Sequence, residues 1–163
     1  MPRIFAPLLM LGVLMLCVTL PARGDDVPFA QTAPSANPHG ESDTLALSDV
    51  MQLTQLRHMK LWYAGKAKNW PLTNYELAQL RDTFSKAAML YLNIPVQYIA
   101  AVSDPLTALG DAVTAKDPHK FEKGYKALET ACNGCHQAAG VDFIVIQTPA
   151  ASVFPDQKFV PSK

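Results

Sequence analysis

The chain has 163 residues, 49% of them hydrophobic, with 14 basic side chains against 14 acidic ones and three cysteines. That length suffices for one domain with a real core. So even a charge balance offers nothing specific to nucleic acid or to an anionic membrane surface.

Residues 1–24, MPRIFAPLLMLGVLMLCVTLPARG, have a basic start at Arg3, an apolar run from Ile4 to Leu20, and Ala22 and Gly24 ahead of Asp25. This pattern predicts a secretory signal peptide. The competing reading is a membrane anchor, but the run is short, carries Pro7 and Gly12 and ends at Pro21. Cys17 lacks the small residues that a lipoprotein cleavage site needs just ahead of it. Cleavage leaves 139 residues with 12 basic and 14 acidic side chains, a formal charge of −2. The expected location is the periplasm, without stable membrane insertion, where Cys132 and Cys135 are the remaining thiols in an oxidising compartment.

Residues 25–44 are rich in Pro, Ser, Asn and Gly without a period, and predict a flexible arm. The domain then spans residues 45–140. A first helix is expected from Ser48, as N-cap, to about Lys66, with Met51, Leu56, Met59, Trp62 and Tyr63 on its buried face. The second is expected to start at a Thr73/Glu76 capping box with Leu72 and Leu77 as its staple, and to run through Leu80, Phe84, Ala87, Ala88 and Tyr91 to about Leu92. A shorter third helix is expected from Ser103 or Asp104, with Pro105 in its first turn and Leu106, Leu109 and Val113 inside. The fourth has Asp117 as cap and Pro118 at its first position, and stops at Gly140. Its inner stripe is Phe121, Tyr125, Leu128, Cys132, Cys135 and Ala139. Four amphipathic helices with short connections predict an all-α, antiparallel four-helix bundle. Residues 141–163 hold one short apolar run without a second strand to pair with, and predict an irregular C-terminal tail.

The chemistry concentrates in ACNGCHQ, where Cys132, Cys135 and His136 form C-x-x-C-H. In an exported chain this is the attachment signature of c-type haem. Two thiols one helical turn apart can add to the two vinyl groups of one porphyrin, and the following imidazole then binds the iron. A thioredoxin-like dithiol has its first cysteine at a helix N-terminus, where the dipole favours thiolate; here the pair lies near a C-terminus. Zinc would need further ligands, and His39, His58 and His119 lack the paired spacing of such a site. One covalent haem c on the last helix, with His136 as proximal ligand, is therefore the expectation.

Only 27 residues follow His136, and none is methionine, so a second axial ligand has to come from earlier in the chain. A haem site on the last helix of a four-helix bundle resembles the class II c-type cytochromes, which include cytochrome c′. The resemblance runs from about Ser48 to Gly140 and is carried by CNGCHQAAG with the preceding FEKGYKALETA. The arm and the long tail depart from the family pattern. The resemblance implies a distal residue from the first helix, apolar in five-coordinate gas-binding members and methionine in six-coordinate ones. It puts Met51 at that position as the distal ligand, against the plainer reading of a core methionine. His58, two turns along the same helix, is the alternative distal ligand.

Arg57 is a candidate partner for a haem propionate, with an ordinary surface arginine as the competing reading. Trp62, Tyr63, Trp70, Phe121 and Tyr125 suit either a porphyrin wall or bundle packing. Lys120, Lys123 and Lys126 suit either an acidic redox partner or a solvated face. The expected function is electron transfer with redox partner proteins, not enzymatic turnover, and the family implies a homodimer through the first two helices. The alternatives are a five-coordinate binder of nitric oxide or carbon monoxide, and a thiol-disulfide exchange protein with free cysteines.

Overall fold

The computed structural model describes residues 46–91 and 94–162; the leader expected over residues 1–24 and the arm over 25–44 lie outside them. Four helices make up the fold: α1 (Leu47–Lys66), α2 (Trp70–Leu90), α3 (Val96–Thr114) and α4 (Pro118–Ala138). There is no strand among the described residues. None of the described helices is long and apolar enough to cross a membrane. Consecutive helices pack on one another, and α1 also meets α4.

α1 begins one residue before the expected Ser48 cap. Asp49 reaches back to accept the Ala46 amide at 3.2 Å, so the first turn is held by the third helical residue. Its buried face also differs from the expected stripe: Val50, Thr54, His58, Leu61, Ala64 and Gly65 are inside, whereas Leu56 is exposed. Apolar periodicity misses this face because two of its members are polar, each with a hydrogen bond inside the fold. Thr54 donates to the Val50 carbonyl at 2.8 Å, and His58 bonds Tyr125 of α4.

The expected Thr73/Glu76 capping box is not the start of α2. Asn69 is the cap, its Oδ1 accepting the Leu72 amide at 3.3 Å, with Pro71 in the first turn. Thr73 instead donates to the Asn69 carbonyl at 2.8 Å, and both Thr73 and Glu76 are buried. Glu76 is 2% exposed and receives Arg57 Nη1 of α1 at 3.1 Å. α3 likewise starts at Val96, well before the expected Ser103 or Asp104, and takes Pro105 into its interior. Pro105 removes one helical hydrogen bond, at a cost of about 3 kcal/mol. Burial of Val102, Leu106, Leu109 and Val113 on one stripe offsets it, since each such side chain contributes roughly 1.5–3 kcal/mol.

α4 follows expectation. Asp117 Oδ1 accepts the His119 and Lys120 amides, both at 3.0 Å, and these donors hold the carboxyl below the usual carboxylate range. Gly140, at φ 69°, ends the helix, where the Val141 amide reaches the His136 carbonyl at 2.9 Å.

The turns into α2 and α4 are built alike, from Ala67-Lys68-Asn69 and Ala115-Lys116-Asp117. Each has a lysine in the left-handed region, at φ 55° and 52°, followed by a capping Asn or Asp. An L residue there costs roughly 1–2 kcal/mol, and glycine loses roughly 0.5–1 kcal/mol through added unfolded-state freedom. Lys116→Gly is therefore expected to raise stability by about 0.5–1 kcal/mol in urea unfolding; a loss of stability would show that the lysine side chain holds the turn.

The core is a contiguous cluster of Leu61, Leu77, Leu80, Val102, Leu106, Leu109, Phe121, Tyr125 and Leu128 among others, with Cys132, Trp62 and Trp70 packed against it. A second cluster, Val50, Ala87 and Tyr91, has Met51 and Leu47 against it. Of the motif residues, Cys132 thus packs against the main core.

Candidate functional site

Cys132, Cys135 and His136 occupy the last two turns of α4. Both cysteines are half-buried and unbridged. Burial, with Cys135 and Glu129 adding to it, pushes the Cys132 thiol up to about 12, and burial also raises Cys135. Both are therefore neutral thiols at physiological pH, the opposite of the acidic thiol that disulfide exchange uses. This weighs against the exchange reading on physical grounds.

His136 is oriented by the tail. Its Nδ1 lies 2.7 Å from the Ile144 carbonyl oxygen, which can only accept, so Nδ1 carries the proton. Nε2 is then the nitrogen left to offer a lone pair. A ring nitrogen fixed by a backbone carbonyl, with the other nitrogen left to bind, is the arrangement that orients metal-ligating histidines. The tail is pinned beside it by Asn133, which lies between the two cysteines. Asn133 Oδ1 accepts the Ile146 amide at 2.7 Å, and its Nδ2 donates to the Ile146 carbonyl at 2.8 Å. Farther along, Thr148 donates to the buried Glu129 at 2.6 Å and accepts Lys126 at 3.1 Å.

The segment after Gly140 is irregular, as expected, yet its Ile144 carbonyl sets the ring of His136. Asn133→Ala removes both bonds to Ile146 and leaves partly buried backbone groups without them, so it should cost about 1–3 kcal/mol in denaturant unfolding. A cost near zero would show that the tail is held elsewhere.

His58, the alternative distal residue, is 4% exposed. Its ring stacks on Tyr125 with centroids 4.3 Å apart. Its Nδ1 is 2.9 Å from the Tyr125 hydroxyl, which also lies 2.9 Å from the His58 carbonyl. Its Nε2 is buried without a hydrogen-bond partner among the described residues. Burial lowers the pKa of this imidazole to about 4, so the ring is neutral.

Met51, the expected distal ligand, is half-buried against Val50, Ala87 and Tyr91 rather than in the cluster that holds Cys132. Arg57 is engaged by Glu76 and lies 6.0 Å from the Tyr75 ring centroid. Trp62, Trp70, Phe121 and Tyr125 converge, with ring centroids 4.8 Å apart for Trp62 and Tyr125 and 6.4 Å apart for Trp70 and Phe121. Tyr63 instead faces the tail, where it bonds the Ala151 carbonyl and lies 5.4 Å from Phe159. Lys120 and Lys123 are exposed on the outer side of α4, and Lys126 is tied to Thr148.

Sequence reasoning did not find the parts played by Asn133, Ile144 and Glu76, nor the bond between Tyr125 and His58. The only cue was composition: an amide inside C-x-x-C-H and an apolar tail. Among the described residues, no group of three or more His, Cys, Asp and Glu is arranged to hold a metal by itself. A porphyrin iron needs only axial donors from the protein, and two free thiols one turn apart beside an imidazole with an open Nε2 fit that group. Comparison of the chain with protein-family models, curated proteins and solved structures found no match.

Proposed function

We propose that the chain is a periplasmic monohaem c-type cytochrome of the class II kind, an electron carrier with haem c joined to Cys132 and Cys135 and its iron bound by His136. The observation that carries this reading is the orientation of His136: its Nδ1 proton is committed to the Ile144 carbonyl, and Nε2 stands ready one residue after two unbridged thiols. An antiparallel bundle is supported by the contacts between α1 and α4. Lys66 pairs with Glu122, whereas His58, earlier in α1, meets Tyr125, later in α4.

Haem c, when bound, supplies a one-electron ferrous–ferric couple. The chain's own part is to hold and insulate. The Ile144 carbonyl accepts from His136 Nδ1, which keeps the imidazole electron-rich and fixes its plane. The apolar core around Leu128, Tyr125 and Trp62 keeps water from that face of α4 and so tunes the potential. Export by the leader would bring the thiols to the compartment where such attachment takes place.

The test is the mass and solvent behaviour of the exported protein. Covalent attachment adds the whole mass of one haem to the mature chain, and the colour stays with the protein in acidified acetone. A mature chain at its bare mass, or one that releases all its colour, would refute the reading. If the haem is covalent but the ferric iron is high-spin and the ferrous form binds carbon monoxide freely, the gas-binding function replaces electron transfer.

A further inference from the structure

We infer that Asn133, between the two cysteines, is a positioning residue for the proximal ligand, and that through it the C-terminal tail sets the reduction potential of the haem. The inference rests on the haem reading above and names what holds the His136 ring in place.

The tail is bonded to α4 from its start. The Val141 amide donates to the His136 carbonyl at 2.9 Å, and the Ile144 amide donates to the Val141 carbonyl at 2.9 Å. Ile144 then offers its own carbonyl to His136 Nδ1 at 2.7 Å. The chain that leaves His136 thus closes on the side chain of the same residue.

A carbonyl shares the plane of the peptide unit that follows it, so the Ile144 oxygen is fixed only when the chain beyond it is fixed too. The upstream bonds alone let that peptide turn. Val145 does not stop it by packing, since it is 68% exposed. Ile146 is the anchor on the far side, and Asn133 holds it twice, Oδ1 accepting its amide at 2.7 Å and Nδ2 donating to its carbonyl at 2.8 Å. Asn133 and His136 are three residues apart on one face of α4, so the clamp and the ring it serves are neighbours. The other tail anchors act farther on: Thr148 on Glu129, Tyr63 on the Ala151 carbonyl and Asn69 on the Phe159 carbonyl.

Ile144 is 47% exposed, which makes water the competitor for the Nδ1 proton. Water there is mobile, and a clamped carbonyl is not. A carbonyl held on Nδ1–H makes the imidazole a stronger electron donor, which favours the ferric state of an iron bound at Nε2. The clamp therefore lowers the midpoint potential, and releasing it raises the potential.

The experiment uses the exported holoprotein. Potentiometric titration of Asn133→Ala should give a higher midpoint potential than the wild type, whereas Tyr63→Phe, which frees the tail from Ala151 instead, should leave it unchanged. A purely structural anchor would move stability and not the potential. NMR of the ferrous protein under carbon monoxide, diamagnetic whatever the distal side holds, follows hydrogen exchange of the His136 ring proton and the Ile146 amide. In the wild type both should be protected to the same degree, because one opening releases both. In Asn133→Ala both should exchange about tenfold faster.

An unchanged or lower potential in Asn133→Ala, an equal shift in Tyr63→Phe, or a wild-type ring proton that exchanges freely while the Ile146 amide is protected would overturn the inference. If Asn133→Ala does not fold, the wild-type exchange rates decide alone. The mass of the same wild-type sample separates the two levels: a chain at its bare mass defeats the haem reading and the inference with it, while a haem-bearing chain with a freely exchanging ring proton defeats only the part given to Asn133.

Discussion

Cys132→Ala combined with Cys135→Ala is expected to give a chain at its bare mature mass, with any associated haem lost completely in acidified acetone. On the proposed haem reading, this variant lacks both thiols that would form the thioether bonds, and α4 has no other cysteine. Stability should fall as well. A ligand that binds the folded chain and not the unfolded one adds free energy, and covalent attachment makes that addition independent of free haem.

The single variants should differ from each other. Cys132 packs against the main core and is the more buried of the two, so Cys132→Ala also removes apolar contact. Cys135→Ala should act mainly through the thioether bond that the haem reading assigns to it. The comparison is made by mass spectrometry and by urea unfolding of each purified variant. Covalent haem at full occupancy in the double variant would show that the attachment chemistry lies elsewhere in the chain.

Gly65→Ala is expected to destabilise the protein by about 1–3 kcal/mol, as overpacking of a filled core does. A Cβ at Gly65 would stand 2.2 Å from ring atoms of Phe121, a distance that neither helix can keep. Gly65 therefore marks the place where α1 and α4 approach closely enough for the ring to lie against backbone. Phe121 is fully buried and touches Trp62, Trp70 and Tyr125, so its ring has little room to move aside.

Phe121→Ala alone should cost about 3–5 kcal/mol through lost burial and the cavity left behind. Together the two substitutions should cost less than their sum, because the new methyl enters space the ring has vacated. A double-mutant cycle by denaturant unfolding measures this coupling. Strict additivity would mean that the two residues do not share the contact.

Much of this molecule is legible in its sequence, and for local reasons. α4 could be read almost whole: Asp117 and Pro118 start it, Gly140 ends it, and Phe121, Tyr125 and Leu128 fall inside at helical spacing. Each of those features acts within a turn or two of chain. The grouping of Cys132, Cys135 and His136 is equally local, since one helical turn brings the three together whatever the rest of the chain does. The irregular tail could be read too, from an apolar run without a strand to join.

What the tertiary structure decided lies between residues far apart in sequence. Thr73 and Glu76 have the spacing of a cap, yet Asn69 starts the helix a turn earlier and Glu76 is taken by Arg57 across the α1–α2 packing. Pro105 reads as a start, yet burial of the stripe from Val102 to Val113 carries α3 through it. The face of α1 could not be found from apolar residues because Thr54 and His58, two polar side chains, are buried in it, Thr54 bonded to the Val50 carbonyl and His58 Nδ1 to Tyr125.

The donor side of each histidine is set in the same way. An imidazole has two nitrogens, and which one is open depends on what the other meets. Ile144 answers that for His136 across eight residues and Tyr125 for His58 across 67, so only the folded chain fixes the tautomers.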